Sequence, residues 1–488
     1  MEAFNRTIKK LSEEEYDLLL KEVSSDRKES KPYMVLEAAR LHDYDDNEMM
    51  EKLAVNSSTY YTLKSRLNAK VAGILSKKVY NPISVLMEEV ARVPANLYGT
   101  SREVSIRALK DLEKQLLEYD LSNELIIVYK TLARLNLHNY DYEYYNKLYN
   151  KYVAYSLAVV KAENLFYEFI TRVGKYQLTR SEVDLENIQS LRRELSNIRD
   201  LYESHRLFVL YNIVNIYFQC MLTNDEHALK LKEIEIDNTL KEISTIINKY
   251  DLDTFYQNNK ALVDMLYFEY YQKTNNVVRA DYYYKRVIPQ LSELAKKHIL
   301  NFYIVEFLYG RVGIYMNTSD LNYLVAANDE IEEMFDVDKD ETYHFVYLKQ
   351  FFAISKFYEG DYSKTARLLN DLRNSISLRN YFFADVQLKM FQALQYALIG
   401  DEELATQLIN SVKRQISDES AEWKSIRSFL KMLGVAIKPG EFKKKYAKMN
   451  QLWKRFQEEN QGHERILSFV NLDDKMLKLL SEPYKGMK

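Results

Sequence analysis

The sequence predicts an all-α protein built from stacked helical hairpins, and three observations carry that prediction. Glycine and proline are scarce, with 11 and 6 copies in 488 residues, against usual shares of about 7% and 5%. No proline lies between Pro94 and Pro289, and no glycine between Gly174 and Gly310. Apolar residues recur at helical spacing between short polar turns, the last of which fall about forty residues apart. Glycine and proline penalise helix interiors and supply the tight turns of sheet proteins. A chain that avoids both is therefore built of helices joined by short polar turns.

Charge and cysteine usage narrow the function classes. The 68 basic and 71 acidic residues leave a formal net charge of −3, so no global field marks a nucleic-acid or membrane binder and any charge signal must be local. Cys220 stands alone, which rules out an internal disulfide framework and fits a reducing compartment. It lies in an apolar helical run and reads as a packed core thiol rather than a nucleophile. The first twenty residues are acidic and amphipathic, without a signal-peptide pattern, so the expected location is cytoplasmic. Leu207 to Asn224 carries no charge, but Asn212, Asn215 and Gln219 would be expensive in lipid, and a buried helix fits better than a membrane span.

At the N-terminus the charge balance reverses. Residues 1–55 hold 14 acids against 9 bases, whereas Asn56 to Met87 has no acid and carries Lys64, Arg66, Lys70, Lys77 and Lys78. Such a reversal places positive potential on one face of a small domain, the footprint expected of phosphate binding. Tyr33 to Asp43, Asn47 to Val55 and Ser58 to Ser76 read as three helices, the last with a buried stripe of Tyr60, Leu63, Leu67, Val71 and Ile74. EMMEKLAVNSSTYYTLKSRL, Glu48 to Leu67, resembles a helix-turn-helix, especially the end of a sigma-factor region four or a response-regulator DNA-binding domain. The resemblance makes Ala54 the turn position, usually glycine, and Thr59 the opening of the recognition helix. It implies that Tyr61, Thr62, Lys64 and Ser65 face the major groove, with Arg66 and Lys70 nearer phosphate and Lys77 and Lys78 extending the basic stretch. A packing module or protein-docking head is the alternative for the same three helices.

Tyrosine is frequent, with 41 copies. In NYDYEYYNKLYNKYVAY, Tyr142, Tyr145, Tyr149 and Tyr152 recur at helical spacing and read as half-buried helix positions rather than a stacking platform. Polar punctuation then marks hairpin turns at 138–141, 174–177, 223–226, 274–277, 317–320, 359–362 and 399–402. Two units carry a recognisable pattern. Tyr381 to Gln415 resembles a tetratricopeptide repeat, with Ala393 and Tyr396 in its first helix, Gly400 and Asp401 in the turn and Ala405 at the small-residue position of the second helix. Phe351 to Leu369 matches through Ala353, Gly360 and Asp361, with Thr365 replacing the alanine. The resemblance implies a right-handed α-solenoid with a concave, partner-binding surface. Beyond Pro439, Phe442, Tyr446, Met449, Trp453 and Phe456 form an apolar stripe opposite Lys443, Lys444, Lys445, Lys448, Lys454 and Arg455, expected to cap the array.

No phosphate-binding glycine loop, HExxH, paired CxxC or GxSxG occurs, and the seven histidines are scattered. Acidic residues alternate with lysines on helix faces, as solvated surfaces do. The expectation is a three-helix module over residues 1–85, tetratricopeptide-like repeats over 86–438 and capping helices over 439–488. Its expected function is non-enzymatic: a cytoplasmic scaffold without cofactor or metal that holds a protein or peptide. The alternative is a transcriptional regulator whose N-terminal module binds nucleic acid.

Overall fold

The computed structural model describes residues 2–482 except 12, 24–29, 42–43, 78–81, 97–98, 100, 223–225, 252, 297–300, 336, 417–422 and 462–464. Every regular element among them is helical. The chain divides into two compact units, Met1–Leu116 with Ile127–Tyr145, and Leu117–Ile126 with Asn146–Lys488.

The first eight helices are α1 (Glu2–Lys10), α2 (Glu13–Val23), α3 (Lys31–Leu41), α4 (Asp46–Lys52), α5 (Ser57–Lys77), α6 (Pro82–Asn96), α7 (Arg102–Glu118) and α8 (Ser122–Leu135). Helices α1 to α5 share one apolar core that includes Phe4, Ile8, Leu19, Leu36, Met49, Tyr60, Leu67 and Val71. The expected stripe of α5 is therefore inward at Tyr60, Leu67 and Val71, with Leu63 half-buried; the Ile74 side chain lies outside the described residues. Arg40 ties α3 to α1 by donating to the carbonyls of Ile8 (2.8 Å) and Leu11 (2.7 Å) at the end of α1, where the helix itself supplies few donors. A capping box opens α4: the Asp45 carboxylate accepts from the Glu48 amide at 2.8 Å, and Glu48 returns the bond to the Asp45 amide at 2.9 Å. Between α4 and α5, Ala54 adopts a left-handed φ of 48°.

The remaining helices begin with α9 (Asp141–Thr179), α10 (Glu182–Leu201) and α11 (His205–Tyr217), after which a π-helical turn covers Phe218–Leu222. There follow α12 (Glu226–Leu231), α13 (Glu233–Lys249), α14 (Thr254–Lys273), α15 (Val277–Val287) and α16 (Leu291–Ala295). Next come α17 (Asn301–Thr318), α18 (Asn322–Val325), α19 (Asn328–Met334), α20 (Thr342–Tyr358) and α21 (Tyr362–Ser375). The chain closes with α22 (Phe382–Ile399), α23 (Glu402–Gln415), α24 (Lys424–Ala436), α25 (Phe442–Glu459) and α26 (Asp474–Ser481). Neighbours in sequence pack against one another, α14 on α15, α20 on α21, α21 on α22, α22 on α23 and α24 on α25, an arrangement compatible with a helical-repeat solenoid. One continuous core, from Tyr155 to Leu480, runs through them.

Two hairpins show why their turns read so clearly. Gly360 and Gly400 take φ of 84° and 91°, where a side chain would be strained, and end α20 and α22. Asp361 and Asp401 follow at once and cap α21 and α23 by accepting from the amides of Lys364 (2.9 Å) and Leu404 (3.0 Å). Ala353, Ala393 and Ala405 are fully buried. Thr365 fits the same kind of position because its hydroxyl donates to the Asp361 carbonyl at 2.8 Å.

The structure corrects three expectations. The punctuation at 174–177 is no turn: α9 runs through it. Gly174 instead makes room for a neighbour, since a Cβ there would stand 2.9 Å from the Tyr343 ring. Lys445 does not belong to a solvated face; it is buried, and its ammonium donates to the Ala436 carbonyl at 2.8 Å, closing the end of α24. Phe442, assigned to the apolar stripe of α25, is exposed, while Met449, Trp453 and Phe456 are buried as expected. Leu207, Leu210, Ile213, Val214, Tyr217 and Leu222 are core, with Cys220 only 1% exposed, and no helix among the described residues is long and apolar enough to cross a membrane.

Candidate ligand pocket and the face of α5

On α5 the residues implied as nucleic-acid contacts separate by environment. Tyr61, Thr62, Ser65, Arg66 and Lys70 are exposed. Lys64 is engaged: its ammonium lies 2.9 Å from Asp46, which clips α5 to α4 and holds the Asp46 carboxyl below its ordinary range despite partial burial. The Thr62 hydroxyl donates to the Ser58 carbonyl at 2.8 Å. The side chain of Lys77, and Lys78 altogether, lie outside the described residues.

The second unit holds a polar cavity of about 340 Å³. Its walls come from the end of α9 (Gln177, Arg180), the last turn of α14 (Glu269, Gln272, Lys273), α17 (Glu306, Tyr309, Asn317), α20 (Tyr347), α22 (Gln387) and the segment after α25 (Arg465, Ser468, Phe469). That segment is held down by its backbone. The Leu467 amide donates to Gln387 Oε1 at 3.2 Å, the Tyr358 hydroxyl donates to the Phe469 carbonyl at 2.8 Å, and the Asn471 amide donates to Tyr358 at 3.0 Å.

Glycine shapes the cavity. Gly310 and Gly313 stand one turn apart on α17, where glycine costs about 1 kcal/mol relative to alanine. A Cβ on Gly310 would fall 2.0 Å from Glu269 Oε1, and one on Gly313 would fall 1.9 Å from Gln272 Nε2. The bare backbone of α17 is what lets these two polar side chains of α14 lie against it.

Three buried polar atoms of this cavity find no hydrogen-bond partner within the protein: Glu269 Oε1, Arg180 Nε and the Tyr309 hydroxyl oxygen. Lys273 forms no ion pair among the described residues. Glu269 and Glu306 are only 3% and 5% exposed, which overturns the reading of the chain's acids as solvated helix faces at these two positions. Burial raises the Glu269 carboxyl well above its usual range against the pull of Lys273, with Glu306 adding repulsion. Burial raises Glu306 too, opposed by the hydrogen bond it accepts from Tyr343. A helix that is otherwise apolar yet carries Glu306, Gly310, Arg311 and Gly313 was the signal in the sequence.

A second polar cluster is paired throughout. Asp120 accepts from Tyr155 and from Ser204, both at 2.5 Å, His205 Nδ1 meets the Tyr256 hydroxyl, and Arg206 pairs with Asp253. Burial lowers the His205 pKa. With its groups satisfied, this cluster acts as a clamp that joins the connection between α7 and α8, α9, and the N-terminal ends of α11 and α14. Among the described residues no three His, Cys, Asp or Glu side chains are grouped to hold a metal ion. No known protein family, curated protein or solved structure matches the chain.

Proposed function

We propose that the protein is a non-enzymatic binding scaffold. In this reading residues 86–438 form a right-handed, tetratricopeptide-like solenoid between the module 1–85 and the capping helices 439–488, and it holds a protein or peptide partner in the cytoplasm. The observation that supports binding is the cavity beside α17. Folded proteins pair nearly all of their buried polar atoms, so three unpaired ones around a single cavity are the pattern of a site whose partners come from outside. The test is selection of peptides displayed in a closed loop on the purified full chain. Recovery of a shared sequence pattern is the expected result, and failure to enrich any pattern would remove the reading.

A second reading makes α4 and α5 the helix-turn-helix of a transcriptional regulator. It is favoured by the left-handed turn at Ala54, the position where the resembled families place glycine, and by the exposure of Tyr61, Thr62, Ser65 and Arg66. Its test is binding of duplex DNA and RNA across a salt series. Affinity that falls steeply with salt and disappears in Arg66→Glu/Lys70→Glu supports it. That pair spares Lys64, whose reversal would also break the link to Asp46. No binding of either nucleic acid at low salt ends it.

A further inference from the structure

We propose that the cavity beside α17 takes a small zwitterion, a free α-amino acid or a dipeptide, whose ammonium meets Glu269 and whose carboxylate meets the cations that share the cavity. The inference rests on reading the cavity as a binding site and names the chemistry of its ligand.

The cavity presents both halves of a charge-paired site and completes neither. Glu269 Oε1 is a buried acceptor without a donor, placed against the Cα of Gly310. Arg180 brings a buried Nε–H without an acceptor, its guanidinium held over the rings of Tyr176 (5.2 Å) and Phe383 (5.5 Å). Lys273, one turn beyond Glu269 on α14, and Arg465 add two more cations. A simple anion would pair the cations and leave Glu269 unpaired. A simple amine would do the reverse. Only a ligand that carries both charges satisfies both sets, and Tyr309, able to donate or accept, serves either end.

Size points the same way. Ligand pockets run from about 300 to 1,000 Å³, and at about 340 Å³ this one stands at the small end. It has room for an amino acid or a dipeptide and none for a helix. The structure also places two helix-interior glycines in α17 to seat Glu269 and Gln272, a cost that close helix packing of apolar side chains would not require.

The test is calorimetric titration and thermal shift of the full chain with the twenty amino acids and a dipeptide panel, beside N-acetylated and C-amidated forms, simple alkylamines and simple carboxylates. At least one free zwitterion is expected to bind. Each blocked form should bind at least about tenfold more weakly, the weight of one charged hydrogen bond. Glu269→Gln and Lys273→Met should each lose about the same factor while keeping a native helical spectrum, and Lys273→Met, being only half-buried, serves if Glu269→Gln does not fold. Absence of binding by every zwitterion overturns the inference, as does equal binding of the blocked forms or of an amine or carboxylate alone. Loop-displayed peptides have no free termini. Their enrichment without a zwitterion response would sink this inference and spare the scaffold, whereas the opposite pattern would remove the macromolecular partner and keep the site.

Discussion

Replacing Gly310 with alanine sets two effects of known sign against each other. Alanine in a helix interior gains about 1 kcal/mol over glycine. At this position its methyl group would stand 2.0 Å from Glu269 Oε1 and 2.6 Å from Phe268 Cε1, far inside the 3.5–4.0 Å of ordinary carbon contact. The carboxyl can retreat into the cavity, but the Phe268 ring is fully buried, 4.9 Å from Phe307 and 6.2 Å from Tyr284, and has nowhere to go. Overpacking of this kind costs about 1–3 kcal/mol. The balance runs from no net change to a loss of about 2 kcal/mol, or at most a few degrees in the melting temperature. Gly434 in α24 is the control: nothing lies within 4 Å of its Cβ position, so Gly434→Ala should stabilise by about 0.5–1 kcal/mol. Urea unfolding of both variants, with Gly310→Ala/Glu269→Ala to close a double-mutant cycle, reads the difference. If Gly310→Ala matched Gly434→Ala in stability, Glu269 would not lie against α17, and the geometry of the cavity would be wrong.

Three further outcomes follow from buried polar and charged groups. Arg311, fully buried, donates to the carbonyls of Tyr323 and Ala326, both at 2.7 Å, and stands over the Phe351 ring. Arg311→Met leaves both carbonyls unpaired at about 1–3 kcal/mol each, and a denaturation midpoint unchanged from the parent would contradict that role. Burial pushes the Cys220 thiol up to about 12, so a thiol reagent at pH 8 should leave the native protein unmodified and label it fully in denaturant; rapid native labelling would place Cys220 outside the core. Glu269 titrates higher folded than unfolded, so its contribution is present below the unfolded pKa, near 4.5, and is lost as pH rises through the folded value, at about 1.4 kcal/mol for each pH interval of one that separates the two. The groups facing it are Lys273 on its own helix, Glu306 from α17, the Tyr217 hydroxyl from α11 and the Cys220 thiol. Glu269→Gln, which cannot ionise, should therefore be more stable than the parent at pH 8 and equal to it near pH 4; a variant less stable at pH 8 would mean the carboxylate is needed as a charge.

The parts of the fold that the sequence foretells are those fixed by neighbours along the chain. Gly360–Asp361 and Gly400–Asp401 are legible because a left-handed glycine and a capping aspartate act within one turn. The apolar stripe of α5 is legible because its period is local. Gly174 reads as a turn only because the reason for it, the ring of Tyr343, lies far away in sequence. Lys445 looks like its solvated neighbours, since nothing local announces that the end of α24 needs a donor. The cavity shows in the sequence only through the charged and glycine positions of α17; on the other wall, Glu269 with Lys273 one turn later looks like any surface ion pair, and only the packing of α14 on α17 buries it. The exposed face of α5 is readable in position, yet the engagement of Lys64 by Asp46 is not.

The segment that supplies Arg465, Ser468 and Phe469 gives the cavity a place in time. Helices α9 to α22 leave the ribosome and can pack before it, but one wall of the cavity does not exist until residue 469 has been made and has reached Tyr358 and Gln387. Whatever occupies the site can be retained with all its walls only by a chain made past residue 469, so a chain stopped before that point has helices and a core but lacks this wall of the cavity.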